Sequence, residues 1–256
     1  MSKKGYAVRL LTHFHMGESK AMSTPMERCL KLTKNEGKPM EDATLFRQLV
    51  GSLFYLTITR PDIAYSVGVI SQFMDKPCEG HFIAAKRILC YMKGILSFRL
   101  MYKQQAPFVL CGFVYVDWAG DVNDRCSTTG YCFNAGSTAV SRCSKKQVIV
   151  ALSSCEAEYA VATMTTQEFL WLKRLIQELS SAFNYSISIH CDNESAIKLA
   201  GNPVFHAHTK HIENHYHFVR EKVLTQDIEL LKIRTEDQVT DIFTKALVKA
   251  KFEEFR

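Results

Sequence analysis

A chain of 256 residues with 47% hydrophobic and 23% charged residues has ordinary globular composition and suffices for one large domain or two small ones. With 12 Gly and 6 Pro it is neither collagen-like nor low-complexity, and no apolar run approaches the ~20 residues of a membrane helix. Thirty-two Lys and Arg against 26 Asp and Glu leave a formal net charge of +6, compatible with a polyanionic partner without requiring one. The basic start, Met-Ser-Lys-Lys-Gly, is followed by no compact apolar block with a small-residue cleavage site, so a signal peptide is not expected. The 9 Cys are odd in number and contain no Cys-x-x-Cys pair, which argues against a zinc ribbon or a disulfide framework. Most sit in apolar contexts and suit small core residues. The expectation is a soluble protein of the cytoplasm or nucleus, not a secreted one.

No internal repeat is visible. Residues 1–42 have weak periodicity beyond an apolar patch at Tyr6–Leu11 and are expected to be mostly irregular. The segment ATLFRQLVGSLFYLTIT (43–59) predicts a helix apolar on nearly every side, stopped ahead of Pro61 by the backbone clash that proline imposes. Asp62 suits the N-cap of a helix in DIAYSVGVISQFM, closed by Lys76-Pro77. A third helix is predicted from about Glu79 to Met92, with Gly94 as its stop.

After the polar stretch Lys103–Pro107 the apolar period changes from helical to alternating. FVLCGFVYVDW predicts a strand with Val109, Cys111, Phe113, Tyr115 and Asp117 on one face. TGYCFNAG and TAVSRCS follow as strands broken at Gly136-Ser137, and VIVALS ends the β run. A long helix from Ser154 to about Leu179, a strand SISIHCD, and a short helix beginning at Asn193 come next. A helix near Thr209–Leu224, a strand IELLKIR and a last helix around Gln238–Ala250 complete the chain. This order predicts an α/β (α+β) domain with a mixed sheet over 105–256, behind a helical segment at 1–104.

Neither a phosphate-cradling Gly-rich loop nor a dinucleotide fingerprint occurs. His211-Ile-Glu-Asn-His215 differs from the zinc-protease pattern by the place of its Glu. Five His between His206 and His217 could bind a metal or simply lie round a solvated helix. Four acids stand at the ends of elements: Asp117 after the first strand, Glu158 early in the long helix, Asp192 after SISIHC, and Asp241 near the last helix. Singly, each is equally explained by the helix dipole or by turn chemistry. Within the long helix, Ser153 and Glu156 fit a capping box, so Glu156 has a structural role. Glu158 instead shares a stripe with Val161, Ala162, Thr165, Leu172, Ile176 and Leu179. A carboxylate on a sheet-facing stripe is costly without a cation, which makes Glu158 the better metal ligand.

The succession LFRQLVGSLFYLTITRPDIAYSVGVISQFM, HFIAAKRILCYMKG, VDWAGD, STTGYCF, SKKQVIVALSSCEAEY, CDNESAIKLA, TKHIENHYHFVREKV and DIFTKAL resembles the carboxy-terminal part of copia-type (Ty1/copia) retrotransposon Pol polyproteins. The resemblance covers roughly Gly5 to Leu247. It implies that residues from about 105 onward form a ribonuclease H-like domain, a mixed five-stranded sheet with flanking helices. It further implies that 1–104 is the tail of a reverse transcriptase whose core is missing. The polymerase Tyr-x-Asp-Asp motif does not occur; Tyr115-Val116-Asp117 imitates its first letters inside the nuclease's first strand. The family's nuclease hydrolyses the RNA strand of an RNA–DNA hybrid with two Mg²⁺ ions about 4 Å apart, Mn²⁺ being able to substitute. By this resemblance Glu158, Asp192, Asp241 and Asp117 are metal ligands and catalytic, Asp117 being the acid nearest the first ligand position. Arg125, Lys145 and Lys146 are the basic residues expected near the hybrid. No small-molecule cofactor and no membrane are implied.

The departure is at that first strand. The family's Asp-Ala-Asp-Trp-Ala-Gly is here Tyr115-Val116-Asp117-Trp118-Ala119-Gly120, so Tyr115 holds the first ligand position. Arg142, Cys155, Cys126 and Thr240 also replace familiar residues, a scatter that suggests decay. Three outcomes stay open: an impaired nuclease, a nucleic-acid-binding remnant without chemistry, or a non-functional fragment.

Overall fold

The structure, a computed structural model, describes residues 3–34, 37–104, 108–148, 150–179, 186–201 and 210–256, with backbone alone at 155, 199, 201 and 210–216. The chain divides into two compact units. One comprises Met1–Tyr102, Asp121–Arg125 and Ile242–Arg256; the other comprises Lys103–Gly120 and Cys126–Asp241.

The first unit is helical: α1 (Lys4–His13), α2 (Thr44–Thr57), α3 (Ala64–Ser71), α4 (Glu79–Gly94) and α8 (Lys249–Phe255). Helix α1 replaces the irregular segment expected there. Its patch is a short helical stripe, with Ala7, Leu10 and Leu11 buried, and packing on a neighbour stabilises a helix too short to hold alone. Helix α2 buries Phe46, Leu49, Val50, Leu53 and Leu56 along one face. Its opposite face leaves Leu45, Phe54 and Tyr55 exposed. Helix α4 runs through Gly94 and ends against Ile95, two residues past the predicted end and without a glycine stop.

Asp62 is not the N-cap of α3; that position is Ile63, without a side-chain cap. Pro61–Ile63 forms a 3-10 turn instead. The Asp62 carboxylate is 4% exposed and accepts from Arg60 Nε at 3.0 Å and Nη2 at 2.5 Å, and from the Tyr91 hydroxyl. Arg60 also donates to the Ile95 carbonyl at 3.0 Å. A buried carboxylate gains more from a guanidinium than from the single N–H that a cap satisfies. Asp62→Asn is expected to lower unfolding free energy by about 3 kcal/mol, because Arg60 then stays buried without its counter-charge. A urea titration showing a loss below about 1 kcal/mol would contradict this.

The second unit is built on a sheet of β1 (Leu110–Asp117), β2 (Thr128–Ala135), β3 (Thr138–Lys146), β4 (Ile187–Cys191) and β5 (Ile228–Lys232), in the order β3-β2-β1-β4-β5. Strands β1–β2 and β2–β3 pair antiparallel, while β1–β4 and β4–β5 are parallel. Gly136, at φ +61°, supplies the left-handed conformation for the tight β2–β3 turn. The parallel pairs need crossovers, supplied by α5 (Ser154–Leu179) and by α6 (Glu194–Gly201) with α7 (Lys210–Leu224). Leu110, Val114 and Val116 of β1 join Phe133, Val161, Phe169, Ile187 and Ile189 in one core. Gly112 belongs to the same face, where a Cβ would stand 2.7 Å from the Phe133 ring. The alternation predicted for β1 is present, with Cys111, Phe113, Tyr115 and Asp117 on the half-buried face.

Two predicted elements are not formed. The described residues of VIVALS lie outside any strand, with Val148 90% and Leu152 84% exposed. The helix expected around Gln238–Ala250 is a pair of 3-10 turns, Thr235–Asp237 and Val239–Phe243, followed by α8. There the Gln238 side chain donates to the Val114 carbonyl at 2.9 Å and accepts from Thr240 Oγ1 at 2.7 Å. Gln238 is thereby held extended, at ψ 92°, where a helix would have continued. Leu179, placed on the buried stripe of α5, is 79% exposed. Among the described residues no helix is long and apolar enough to cross a membrane.

Candidate functional site

Because β2 and β3 alternate in direction and β4 runs parallel to β1, one end of the sheet collects the end of β1, the end of β3 and the residue after β4. Asp117 pairs with Thr128, and Thr128 with Lys146. The last β1–β4 pair is Val114 with Cys191. Tyr115 and Asp192 follow it side by side, on strands spaced about 4.8 Å apart. Tyr115, not Asp117, is therefore the β1 residue level with Asp192.

Glu158 reaches this end from α5. It is 5% exposed, beside the buried Ala157, Tyr159 and Val161. Its Oε2 lies 3.8 Å from the Cys191 thiol, which donates to it. Burial first, and the Asp192 charge second, push its pKa up to about 8, while hydrogen bonds from Cys191 and Asn193 oppose the shift. Burial likewise pushes the Cys191 thiol up to about 12, with Glu158 adding to it. Glu158 and Asp192 are thus close enough to repel. Asp192 Oδ2 accepts from Thr235 Oγ1 at 3.2 Å. Asn193, whose Oδ1 accepts from the Ala196 N–H at 3.1 Å at the start of α6, supports Glu158 as well. Sequence reasoning marked Asn193 as a helix start but gave it no part in the site. Cys191 and Gln238 were missed too, since their roles depend on neighbours 33 and 124 residues away.

Asp241 is 7% exposed, in the turn that Gln238 ties to β1. The Asp117 carboxylate covers the Ala119-Gly120 turn, where a Cβ on Gly120 would meet Oδ2 at 2.1 Å. Ala119 holds a left-handed φ of +52° in that turn. Among the described residues, no three His, Cys, Asp or Glu form a group able to hold a metal ion. Of the four acids singled out from sequence, the structure pairs Glu158 with Asp192 electrostatically, buries Asp241 and turns Asp117 onto its own loop. Lys145 is exposed and Lys146 half-buried at the end of β3. Arg125, exposed at φ +59°, belongs to the other compact unit. His206 and His208 lie outside the described residues, as do the side chains of His211 and His215; His217 is exposed.

The start of α5 separates the two glutamates. The Glu156 N–H donates to Ser153 Oγ at 3.1 Å, and Glu156 Oε2 accepts from the Leu152 N–H at 2.7 Å. The reciprocal cap reaches Leu152, one residue before the expected Ser153. Glu156→Ala is expected to cost about 1 kcal/mol in chemical denaturation, and a change near zero would remove Glu156 from the cap.

No family model matches the chain. Over 99% of its length it is 41% identical to the retrovirus-related Pol polyprotein from transposon TNT 1-94 of Nicotiana tabacum, of which it spans 19%. It is also 36% identical to an uncharacterized mitochondrial protein of Arabidopsis thaliana, over 72% of this chain and 76% of that one. The chain belongs to the copia-type retrotransposon Pol polyprotein family. It spans about a fifth of the length of the Pol polyproteins it matches, at 19%, 18% and 17%. Among solved structures it is similar to LC11-RNase H1, isolated from compost, at 11% identity and a TM-score of 0.39, over 54% of this chain and 93% of that one. The mixed five-stranded sheet with flanking helices that the resemblance implies is present in the second unit.

Proposed function

We propose that the second unit acts on RNA–DNA hybrids as a ribonuclease H whose catalytic power is reduced by Tyr115. The observation that carries this reading is the buried Glu158 carboxyl, charge-coupled to Asp192 beside Tyr115 at the carboxyl end of the central strands. The donors are all oxygen, which suits a hard cation such as Mg²⁺ or Mn²⁺. A divalent charge between Glu158 and Asp192 would offset both the repulsion and the desolvation that keep Glu158 protonated. The chemistry such an ion supplies is activation of water and stabilisation of the leaving 3′ oxygen. Two carboxylates fit one ion; the family's two-ion arrangement needs the acid that Tyr115 replaces, and Asp117 is turned away from that role. Asp241, buried in the neighbouring turn, is the third candidate ligand. Cys191 and Asn193 hold the Glu158 carboxyl in place, and Lys145 and Lys146 offer cations to phosphate at the same sheet end. Within the longer polyprotein this unit would work behind a polymerase core, with the helical residues 1–104 as that polymerase's tail.

A second reading, hybrid binding without cleavage, is favoured by the lack of any three-acid group among the described residues. Incubation with an end-labelled RNA–DNA hybrid, with and without Mg²⁺ or Mn²⁺, distinguishes them. Metal-dependent shortening of the RNA strand supports the first. Retardation of the intact hybrid without shortening supports the second.

A further inference from the structure

His81, in the first turn of α4, is 2% exposed, and the nuclease reading makes no use of it. Both of its ring nitrogens are bonded. Nδ1 accepts from the Cys78 N–H at 3.0 Å, and Nε2 lies 3.1 Å from the Thr33 carbonyl oxygen. A backbone N–H only donates and a carbonyl only accepts, so these partners fix one state of the ring. It is the neutral ring with its proton on Nε2. Phe73, itself buried, stacks on that ring with 3.9 Å between centres and 16° between planes.

Two stretches of chain meet the start of α4. The Glu79 N–H donates to the Lys38 carbonyl at 2.9 Å, and the Met40 N–H to the Pro77 carbonyl at 3.0 Å. His81 ties down Thr33, and Asn123 of the same compact unit brackets that residue. The Asn123 amide donates to the Leu32 carbonyl at 3.1 Å and accepts from the Lys34 N–H at 3.1 Å. The charged side chains on these elements are Glu79 on α4, Lys31, Lys34 and Lys38 on the two stretches, and Asp121, Asp124 and Arg125 beside Asn123. Arg47 of α2 adds its bonds to the Met74 and Asp75 carbonyls, ahead of Lys76. Among the described residues none of these charged side chains bonds to the ring, whose partners are Cys78, Thr33 and Phe73. Burial lowers its pKa from the ordinary 6.5, with the Thr33 carbonyl opposing the shift.

We propose that His81 is an acid-operated latch, which caps α4 and holds Thr33 at neutral pH and releases both on protonation. A proton on Nδ1 would set one N–H against the Cys78 N–H, so the charged ring must turn out of its slot. Turning out breaks the Thr33 contact and the Phe73 stack together, and leaves the Cys78 N–H without its acceptor. The sign follows from burial of the neutral ring. Above 6.5 the latch is fully closed; as pH falls below 6.5 the released ring takes up a proton that the latched ring resists. Closure therefore weakens steadily until pH passes the lowered value of the latched ring. The latch lies within the helical unit and does not rest on the nuclease reading.

The test uses the full chain, ¹⁵N-labelled and free of divalent metal, with amide exchange followed by NMR at about pH 7.5 and about pH 5 and corrected for intrinsic rates. At the lower pH the Cys78 N–H is expected to lose protection by about tenfold relative to the N–H of Ile88, which is fully buried further along α4. His81→Asn places an amide oxygen close to the Nδ1 position and does not titrate, so the same ratio should change by less than about twofold. Ring-nitrogen shifts in the unsubstituted chain should show a neutral ring protonated on Nε2 at neutral pH. A charged ring there, or a proton on Nδ1, would overturn the proposal without any variant. Equal losses at Cys78 and Ile88 would overturn it as well, since the helix would then be opening as a whole. So would a ratio that does not move with pH, or one that moves as far in His81→Asn.

Discussion

Tyr115→Asp is expected to raise Mg²⁺-dependent cleavage of an RNA–DNA hybrid by on the order of 10²-fold or more, the scale associated with one well-placed group that stabilises transition-state charge. A phenol with a pKa near 10 keeps its proton at neutral pH and is a poor ligand for a hard cation. The register sets Tyr115 beside Asp192, so an aspartate there would add a full negative charge next to the existing Glu158–Asp192 pair. Asp117 cannot substitute by a small adjustment. It is two residues further along, roughly 6.6 Å, and its carboxylate occupies the space over Gly120. The substitution should also tighten Mg²⁺ binding in calorimetry. If the unsubstituted chain already cleaves hybrids efficiently and Tyr115→Asp adds less than about twofold, the first-ligand role does not belong to Tyr115's position.

The metal-free protein is expected to lose stability as pH rises from about 4.5 to about 8, and Glu158→Gln should abolish most of that loss. Burial and the Asp192 charge raise Glu158 from its ordinary 4.5 to about 8. Below 4.5 both folded and unfolded chains keep this proton. Between the two values the unfolded chain releases it while the native state retains it, so folding becomes steadily less favourable; above 8 the loss levels off. Full expression of the shift corresponds to about 5 kcal/mol. Glutamine has no proton to lose and keeps a similar shape, so the variant should show a flatter profile and a higher Tm at pH 8. Mg²⁺ at pH 8 should raise Tm of the unsubstituted chain by selective binding to the native state, and should do so less in Glu158→Gln. Parallel pH profiles for the two proteins would mean that Glu158 is not desolvated in the native state.

Much of the second unit could be read from residue order. Alternation in Leu110–Asp117, the break at Gly136-Ser137 and the stripe on α5 each express a local rule, and the strands and long helix form where those rules place them. Choosing Glu158 over Glu156 followed from the same stripe, and burial at 5% agrees with it. The errors fall where a distant partner outweighs a local preference. Asp62 resembles a cap, yet it meets Tyr91 across 29 residues. Gln238 belongs to a plausible helix, yet its amide satisfies a β1 carbonyl 124 residues away. VIVALS has strand composition but no place in the ladder, because β3 already forms the edge of the sheet.

Family membership, the element types and the substitution at Tyr115 are properties of the sequence by itself, since motif order and apolar period survive without any knowledge of packing. The parallel insertion of β4 beside β1, the level placement of Asp192 and Tyr115, and the burial that raises Glu158 exist only in the tertiary structure. Register and desolvation depend on segments dozens of residues apart meeting in space. No local pattern encodes the dielectric surroundings in which a carboxylate keeps or releases its proton.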